Sequence, residues 1–333
     1  MSDIKLSVII PVYNVENYIE RNVKSLLKNI ADDIEVIYVD DESKDSSCEV
    51  LEKYIRGKSN IQLFKKANSG PGATRNYGLD RANGKYVFFL DSDDYVSDIS
   101  LDKLIDLAER NDLDMLEFCY RLVDENGKEL VEPNTSKEGS VNKVMTGVWW
   151  LRTEKCCSLQ VAYFYKREFL LGNNLKMPEG VIHEDFEYVA KCMWYAKRFM
   201  KINDCLYNYV MRPSSIMHTK GKQHRIDSHE GIYRTIDFVK ANVDEDTYRD
   251  YFEPYIISEF YNSVHIQIQN GENIRKNFRN NPKFREDILE WLKKTKSKTQ
   301  KVQYFAIRFK LYELYTLMYR IYDRIRPNYL SAR

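Results

Sequence analysis

Ser7-Val8-Ile9-Ile10-Pro11-Val12-Tyr13-Asn14 is a short β-branched run that ends in a proline, an aromatic ring and an asparagine. A run this short and this continuously apolar reads as a strand buried on both faces, over residues 6–10. The same figure returns at residues 34–39, 61–64, 86–90 and 113–118. Helical patterns fill the intervals. The first is the clearest, with Val15, Tyr18, Ile19, Val23, Leu26, Leu27 and Ile30 at helical spacing behind Asn14, read here as its N-cap. Strand and crossover in alternation predict an α/β fold whose central sheet is mostly parallel and covered by helices on both faces. Residues 123–143 turn polar and read as a surface excursion. From Lys222 onward strand signals give way to long, Tyr-rich helical patterns, which places a boundary near Lys220 and an α-helical C-terminal domain over 221–333.

The 333 residues carry 51 Lys and Arg against 50 Asp and Glu, a balance that excludes a protein built mainly to hold nucleic acid. That balance hides an asymmetry. Residues 291–333 contain eleven Lys or Arg and only two acids, Glu313 and Asp323. The six cysteines are scattered without a C-x-x-C pair, and a chain of this length needs no staples, so reduced thiols are expected. No stretch approaches the roughly 20 apolar residues of a membrane-spanning helix. The expected location is cytoplasmic, with peripheral attachment to the inner membrane face left open.

In an open parallel sheet, ligands sit beyond the carboxyl ends of the strands, so the residues following each strand carry the chemistry. After the first strand come Pro11 and Tyr13, after the second Asp40, and after the fourth Asp91-Ser92-Asp93-Asp94. A ring that stacks on a nucleobase beside a carboxylate that accepts a base N–H makes Tyr13 and Asp40 a natural pair. Three aspartates crowded at one strand end are favourable when a cation meets them, and hard oxygen ligands suit Mg²⁺ or Mn²⁺. Capping of a helix that starts near Ser100 is the alternative. The loop Asn68-Ser69-Gly70-Pro71-Gly72-Ala73-Thr74-Arg75-Asn76 opens a helix, where Arg75 or backbone N–H groups can meet an anion, although such loops are often only tight turns.

Taken in order, Ser7 to Asn14, Val39-Asp40-Asp41-Glu42-Ser43, Gly72 to Asn76 and Phe89 to Asp94 resemble the inverting family 2 glycosyltransferases. The resemblance covers about the first 120 residues. It implies a GT-A fold that binds a nucleotide-sugar over 1–120 and completes the acceptor side over 121–220. It makes Tyr13 and Asp40 base-recognition residues, places Arg75 near the nucleotide, and makes Asp91-Ser92-Asp93 the D-x-D motif, with Asp93 the direct metal ligand and Asp91 toward the ribose. Pro11, Asn68, Ser92 and Glu184 join the substrate-binding set. Two departures are visible: Glu42 stands where Gly is common, and Thr74 where Ala usually precedes the Arg-Asn pair.

The family's catalytic base lies in a Glu-Asp pair well downstream, which is similar to Glu184-Asp185 here and makes Asp185 the expected base. Without the upstream motifs the two acids would read as the start of an amphipathic helix. Arg212, Ser214 and Ser215 resemble a loop that closes over the donor diphosphate, and His218 is a candidate further metal ligand. The activity implied is hexosyl or N-acetylhexosaminyl transfer from a nucleotide-sugar, expected to be a UDP-sugar, to a glycan or lipid-linked glycan in cell-surface polysaccharide synthesis. A sugar nucleotidyltransferase and a catalytically silent sugar-nucleotide-binding scaffold are the alternatives.

In the basic tail, Tyr304, Ile307, Leu311, Leu314, Met318, Ile321 and Ile325 recur at steps of three and four, with Arg308, Lys310, Arg320 and Arg324 off the stripe. Three fates are open to such a helix: packing on its own domain, pairing in a homodimer, or lying on an anionic membrane.

Overall fold

The computed structural model describes residues 4–153, 157–181, 184–212, 222–247, 249, 252–269 and 271–325. The chain forms two compact units, Met1–Arg212 and Pro213–Arg333. In chain order the first contains β1 (Leu6–Val12), α1 (Ile19–Leu27), β2 (Ile34–Asp40), α2 (Ser47–Ile55), β3 (Ile61–Lys65), α3 (Pro71–Leu79), β4 (Tyr86–Phe89), β5 (Tyr95–Val96), α4 (Leu101–Arg110), β6 (Met115–Val123), β7 (Glu129–Val131), α5 (Gly147–Thr153), β8 (Tyr163–Lys166), α6 (Arg167–Gly172), α7 (Glu184–Tyr195) and β9 (Phe199–Val210).

One sheet runs β3-β2-β1-β4-β8-β6-β9-β5, with β7 paired to β6. The first four strands are parallel, and β1, β2 and β4 are buried on both faces while β3 forms the edge, with Gln62 and Lys65 exposed. Beyond β4 the sheet becomes mixed, because β8 enters antiparallel to both β4 and β6, while β6 and β9 are parallel. The chain winds outward from β1 through β2 to β3 and returns to β4 on the other side of β1. Strand order therefore reverses beside β1. The carboxyl ends of β1 and β4, on either side of that reversal, are the place where such sheets bind ligands.

The helix behind β1 starts later than its apolar spacing suggests. Asn14 is not its N-cap: the residue adopts φ +51°, its Oδ1 accepts from Lys44 N at 2.8 Å, and α1 begins only at Ile19. The local tie across the β1 and β2 loops outcompetes the cap.

The second unit is helical throughout its described residues: α8 (Lys222–Asn242), α9 (Glu245–Thr247), α10 (Glu253–Gln269), α11 (Ile274–Asn280), α12 (Pro282–Lys293), α13 (Lys298–Arg308) and α14 (Tyr312–Ile325). Asn281 caps α12 by accepting from Phe284 N at 3.1 Å, with Pro282 in the first turn where its missing N–H costs nothing. Phe252, Phe260, Phe284, Ile288 and Leu292 fill the core. The expected apolar stripe of the tail does not pack as one face. Ile307 is buried, but Leu311, Leu314, Met318 and Ile321 stand in solvent, and α14 turns Tyr312, Tyr315 and Tyr319 inward instead.

Candidate active site

The register pairs Val12 with Asp40, so Tyr13 leaves β1 beside the end of β2, and its ring is about half exposed. Asp40 is buried and its Oδ1 accepts from Ser43 N at 3.1 Å. Burial, together with Asp40, pushes the neighbouring Cys48 thiol up to about 12, so it stays protonated and inert. Asp41 faces the other way. It pairs with Lys66 at 2.7 Å and accepts from the backbone N–H groups of Ser69 and Gly70, each at 2.9 Å, which fixes the glycine loop. Asn68 supports the same turn by donating to Asp41 O at 2.9 Å. Glu42 has φ +68°, a left-handed conformation that favours glycine, which is why Gly suits this position. Here Lys44 and the Asn68 N–H hold the Glu42 carboxylate.

At the end of β4 the four residues from Asp91 to Asp94 form a turn whose shape is set from α1. Asn22, fully buried, donates to the carbonyls of Asp91 and Asp94 at 3.1 and 2.9 Å, and its Oδ1 accepts from the Tyr38 hydroxyl at 2.9 Å. Asp94 points inward, accepting from Val210 N at 2.7 Å and from the Tyr207 hydroxyl. Asp93 pairs with Arg212 at 2.6 Å, and the Arg212 guanidinium lies 5.1 Å over the Tyr18 ring. Burial, only partly offset by Arg212, holds Asp93 above the usual carboxylate range, while burial and the charges of Asp93 and Asp91 hold Asp94 well above it.

One carboxylate oxygen from each of Asp91, Asp93 and Asp94 lies within 4.8 Å of the others. All are hard donors, and burial with the repulsion between neighbouring carboxylates disfavours the charged forms of Asp93 and Asp94 unless a cation meets them, so the set fits Mg²⁺ or Mn²⁺. Both Asp94 oxygens are already hydrogen-bonded, which leaves Asp91 and Asp93 as the better ligands. None of the three caps a helix: α4 starts at Leu101 behind Ser100, without a side-chain cap bond.

Arg75 links this turn to α7. It is buried, with Nη2 at 2.5 Å from Asp91 and Nη1 at 2.5 Å from Glu184. Asn76, the next residue, donates to Met177 O at 2.9 Å and to Glu179 at 2.8 Å, which ties α3 to the segment leading into α7. A Cβ on Gly72 would sit 2.2 Å from Pro178 O, so only glycine permits this approach. Glu184 and Asp185 do begin α7, as acids at a helix start should, but Glu184 is buried against Arg75 rather than solvated. Asp185 is partly buried, and Phe186 N donates to its Oδ1 at 2.9 Å. Burial and the Glu184 charge raise its pKa to about 7.

Of the residues singled out from the sequence, Arg75, Asp91 and Glu184 are joined by direct contacts, Asp93 is tied to Arg212, and Pro11, Tyr13 and Asp40 share the adjoining strand ends. Ser92 is buried within the acidic turn. Ser214, Ser215 and His218 lie outside the described residues. Sequence reasoning missed Asn22, Asp41 and Asn76. A cleft of about 670 Å³ runs along α1, lined by Arg21, Lys24, Tyr95 and Arg121. It does not include the acidic turn.

A β1–β4 switch point facing an acidic turn, in a sheet that turns mixed beyond β4, is the architecture of the GT-A glycosyltransferases. The same fold occurs in Staphylococcus aureus TarS (residues 1–349, solved with UDP-GlcNAc), with a TM-score of 0.67 and 22% identity over 96% of this chain and 92% of that one. The sequence profile of Glycosyl transferase family 2 matches residues 7–168. An uncharacterized glycosyltransferase of Haemophilus influenzae is 36% identical over 202 residues, which span 58% of this chain and 73% of that protein. The uncharacterized glycosyltransferase YibD of Escherichia coli is 30% identical over 230 residues, just under two thirds (66%) of either chain. The chain belongs to glycosyltransferase family 2.

Proposed function

We propose that the protein is an inverting, metal-dependent glycosyltransferase that moves a hexosyl or N-acetylhexosaminyl group from a UDP-sugar to a hydroxyl of a glycan or lipid-linked glycan in cell-surface polysaccharide synthesis. The observation that carries this reading is the chain of contacts from Asp91 through Arg75 to Glu184, which holds the turn suited to a metal–diphosphate beside Asp185, a carboxylate whose pKa of about 7 suits a base. UDP as the donor nucleotide is supported by the UDP-GlcNAc bound to TarS.

In this reading Tyr13 stacks on the base, Asp40 accepts its N–H, and Pro11 and Asn68 line the same edge. Asp93 and Asp91 would hold Mn²⁺ or Mg²⁺, which when bound neutralises the charge developing on the departing diphosphate. Asp91 and Ser92 adjoin the sugar and ribose. Asp185 takes the proton from the acceptor hydroxyl as that oxygen attacks the anomeric carbon, so a single displacement inverts the configuration. Arg75 and Glu184 position Asp185 and Asp91 rather than touch the reacting atoms. Arg212, now on Asp93, is the cation best placed to transfer to the diphosphate, with Ser214, Ser215 and His218 following it in the chain. Residues 1–120 would bind the donor and 121–220 the acceptor.

The test is a binding and hydrolysis screen of purified protein against UDP-, GDP-, CMP- and dTDP-sugars, with Mn²⁺ and after chelation. Metal-dependent binding of a UDP-sugar with slow release of UDP supports the reading. Binding to none of them would overturn it.

A further inference from the structure

The two faces of α14 are assigned contrary to what water alone would select. Tyr312, Tyr315 and Tyr319, each carrying a hydroxyl, are buried. The Tyr312 hydroxyl accepts from Arg285 Nε at 3.0 Å, Tyr315 bonds His265, and the His265 ring stacks on Tyr319 with centroids 4.1 Å apart. Burial lowers the His265 pKa to about 3, so the imidazole at the centre of this seam is neutral. Outward, alongside the exposed Glu313 and Arg320, lie Leu314, Leu317, Met318 and Ile321, spaced as one helical face and each about half exposed.

The outward face does not end with α14. Val302 and Phe305 on α13, and Phe309 and Leu311 at the joint, are also 47–64% exposed, and the Phe305 and Phe309 rings lie nearly parallel with centroids 6.2 Å apart. Eight large apolar side chains on two consecutive helices and their joint make a patch on the order of several hundred Å², the size that marks an interaction surface rather than scattered exposure. Charge surrounds it. Lys298, Lys301, Arg308 and Arg320 on the same helices, and Lys310 at the joint, are exposed, and among the described residues none of them pairs with an acid. Of the two acids on this stretch, Glu313 and Asp323, the first is taken by Arg275 at 2.8 Å.

We propose that this outer face of α13 and α14 docks on an anionic lipid bilayer, with its hydrocarbon side chains among the acyl chains and its lysines and arginines at the headgroups. A second copy of the chain would cover the apolar part but would bring two basic rims together, a like-charge juxtaposition that opposes association. An anionic bilayer supplies both the apolar phase and the counter-charge. Among the described residues no helix is long and apolar enough to cross a membrane, so the contact is with one surface. This proposal does not depend on the donor or the chemistry assigned above.

The experiment is flotation of the full-length chain with vesicles of phosphatidylcholine alone and with about 30% phosphatidylglycerol, at low and high salt. Wild type should float with the anionic vesicles, roughly tenfold less with the neutral ones, and less at high salt. The doubles Leu314→Glu/Leu317→Glu and Lys301→Glu/Arg308→Glu should each lose about tenfold in partitioning while keeping the wild-type melting temperature and UDP binding. Equal flotation of wild type with both vesicle types, or unchanged flotation of the Leu314→Glu/Leu317→Glu variant, would overturn the proposal. So would a dimer in sedimentation equilibrium that the same variant dissociates, because that result assigns the face to a second copy.

Discussion

Asp185 and Glu184 are neighbours in sequence with opposite tasks, and the difference lies in what meets each carboxylate. Glu184 is ion-paired with Arg75, whereas Asp185 meets its own helix N-terminus and is raised to about 7 by burial and by the Glu184 charge. A base works deprotonated, so kcat/KM should rise with pH up to about 7 and then level, falling about tenfold per unit on the acid side. The same shift acts on stability with the opposite sense. A carboxylate raised above its unfolded value of 3.8 contributes stability that is present in acid and lost as pH rises through about 7, and Asp185→Asn should flatten that slope. In steady-state assays Asp185→Asn should lower kcat by about 10²–10⁴-fold with UDP affinity unchanged; undiminished turnover removes Asp185 from its role. Arg75→Met leaves Glu184 and Asp91 without their shared cation, which should cost about 3–5 kcal/mol in denaturant titration. At this scale the acids were legible because motifs and strand ends expose them. Asn22 was not, since a buried asparagine on an amphipathic helix reads in sequence as one more solvated position, and Asp41 was hidden beside Asp40 because adjacent residues at a strand end point to opposite faces.

Short β-rich runs announce parallel strands, most clearly the buried β1, β2 and β4, which is why β1 to β4 fall within two residues of their expected bounds at either end. The strands that complete the sheet carry weaker signals. β8 is only Tyr163–Lys166, and its antiparallel insertion between β4 and β6 depends on long-range pairing that no local pattern encodes. At the start of α3, packing against the Pro178 backbone is close enough that Gly72→Ala must push the segment leading to Glu184 outward. That change should cost about 1–3 kcal/mol and lower kcat more than it lowers the melting temperature would suggest. Between β6 and β9, Lys201 and Glu117 form a fully buried ion pair at 2.8 Å. Lys201→Met strands the Glu117 charge and should destabilise by about 3–5 kcal/mol, and the double variant Lys201→Met/Glu117→Leu should recover most of that loss in urea unfolding.

The molecule combines a near-neutral total charge with a strongly basic end, and the sequence made that asymmetry plain. It also gave the helical period of the tail. What it could not give was the sense of the faces: a stripe of Leu, Met and Ile ordinarily goes inward, and here a Tyr seam built around His265 holds α14 to its unit and leaves the hydrocarbon outside. Tyrosine satisfies both an apolar core and a buried imidazole, so periodicity alone does not choose between the two stripes. The fold-level reading survives this because the first unit carries its own core and its own site.

The central claim is that the acidic turn after β4 binds a nucleoside diphosphate through a divalent ion, and calorimetric titration of UDP into the intact protein tests it most directly. With Mn²⁺ present, wild type and Asp185→Asn should bind alike, while chelation or Asp93→Asn should each weaken binding roughly tenfold or more. UDP affinity that is indifferent to both chelation and Asp93→Asn would contradict the account.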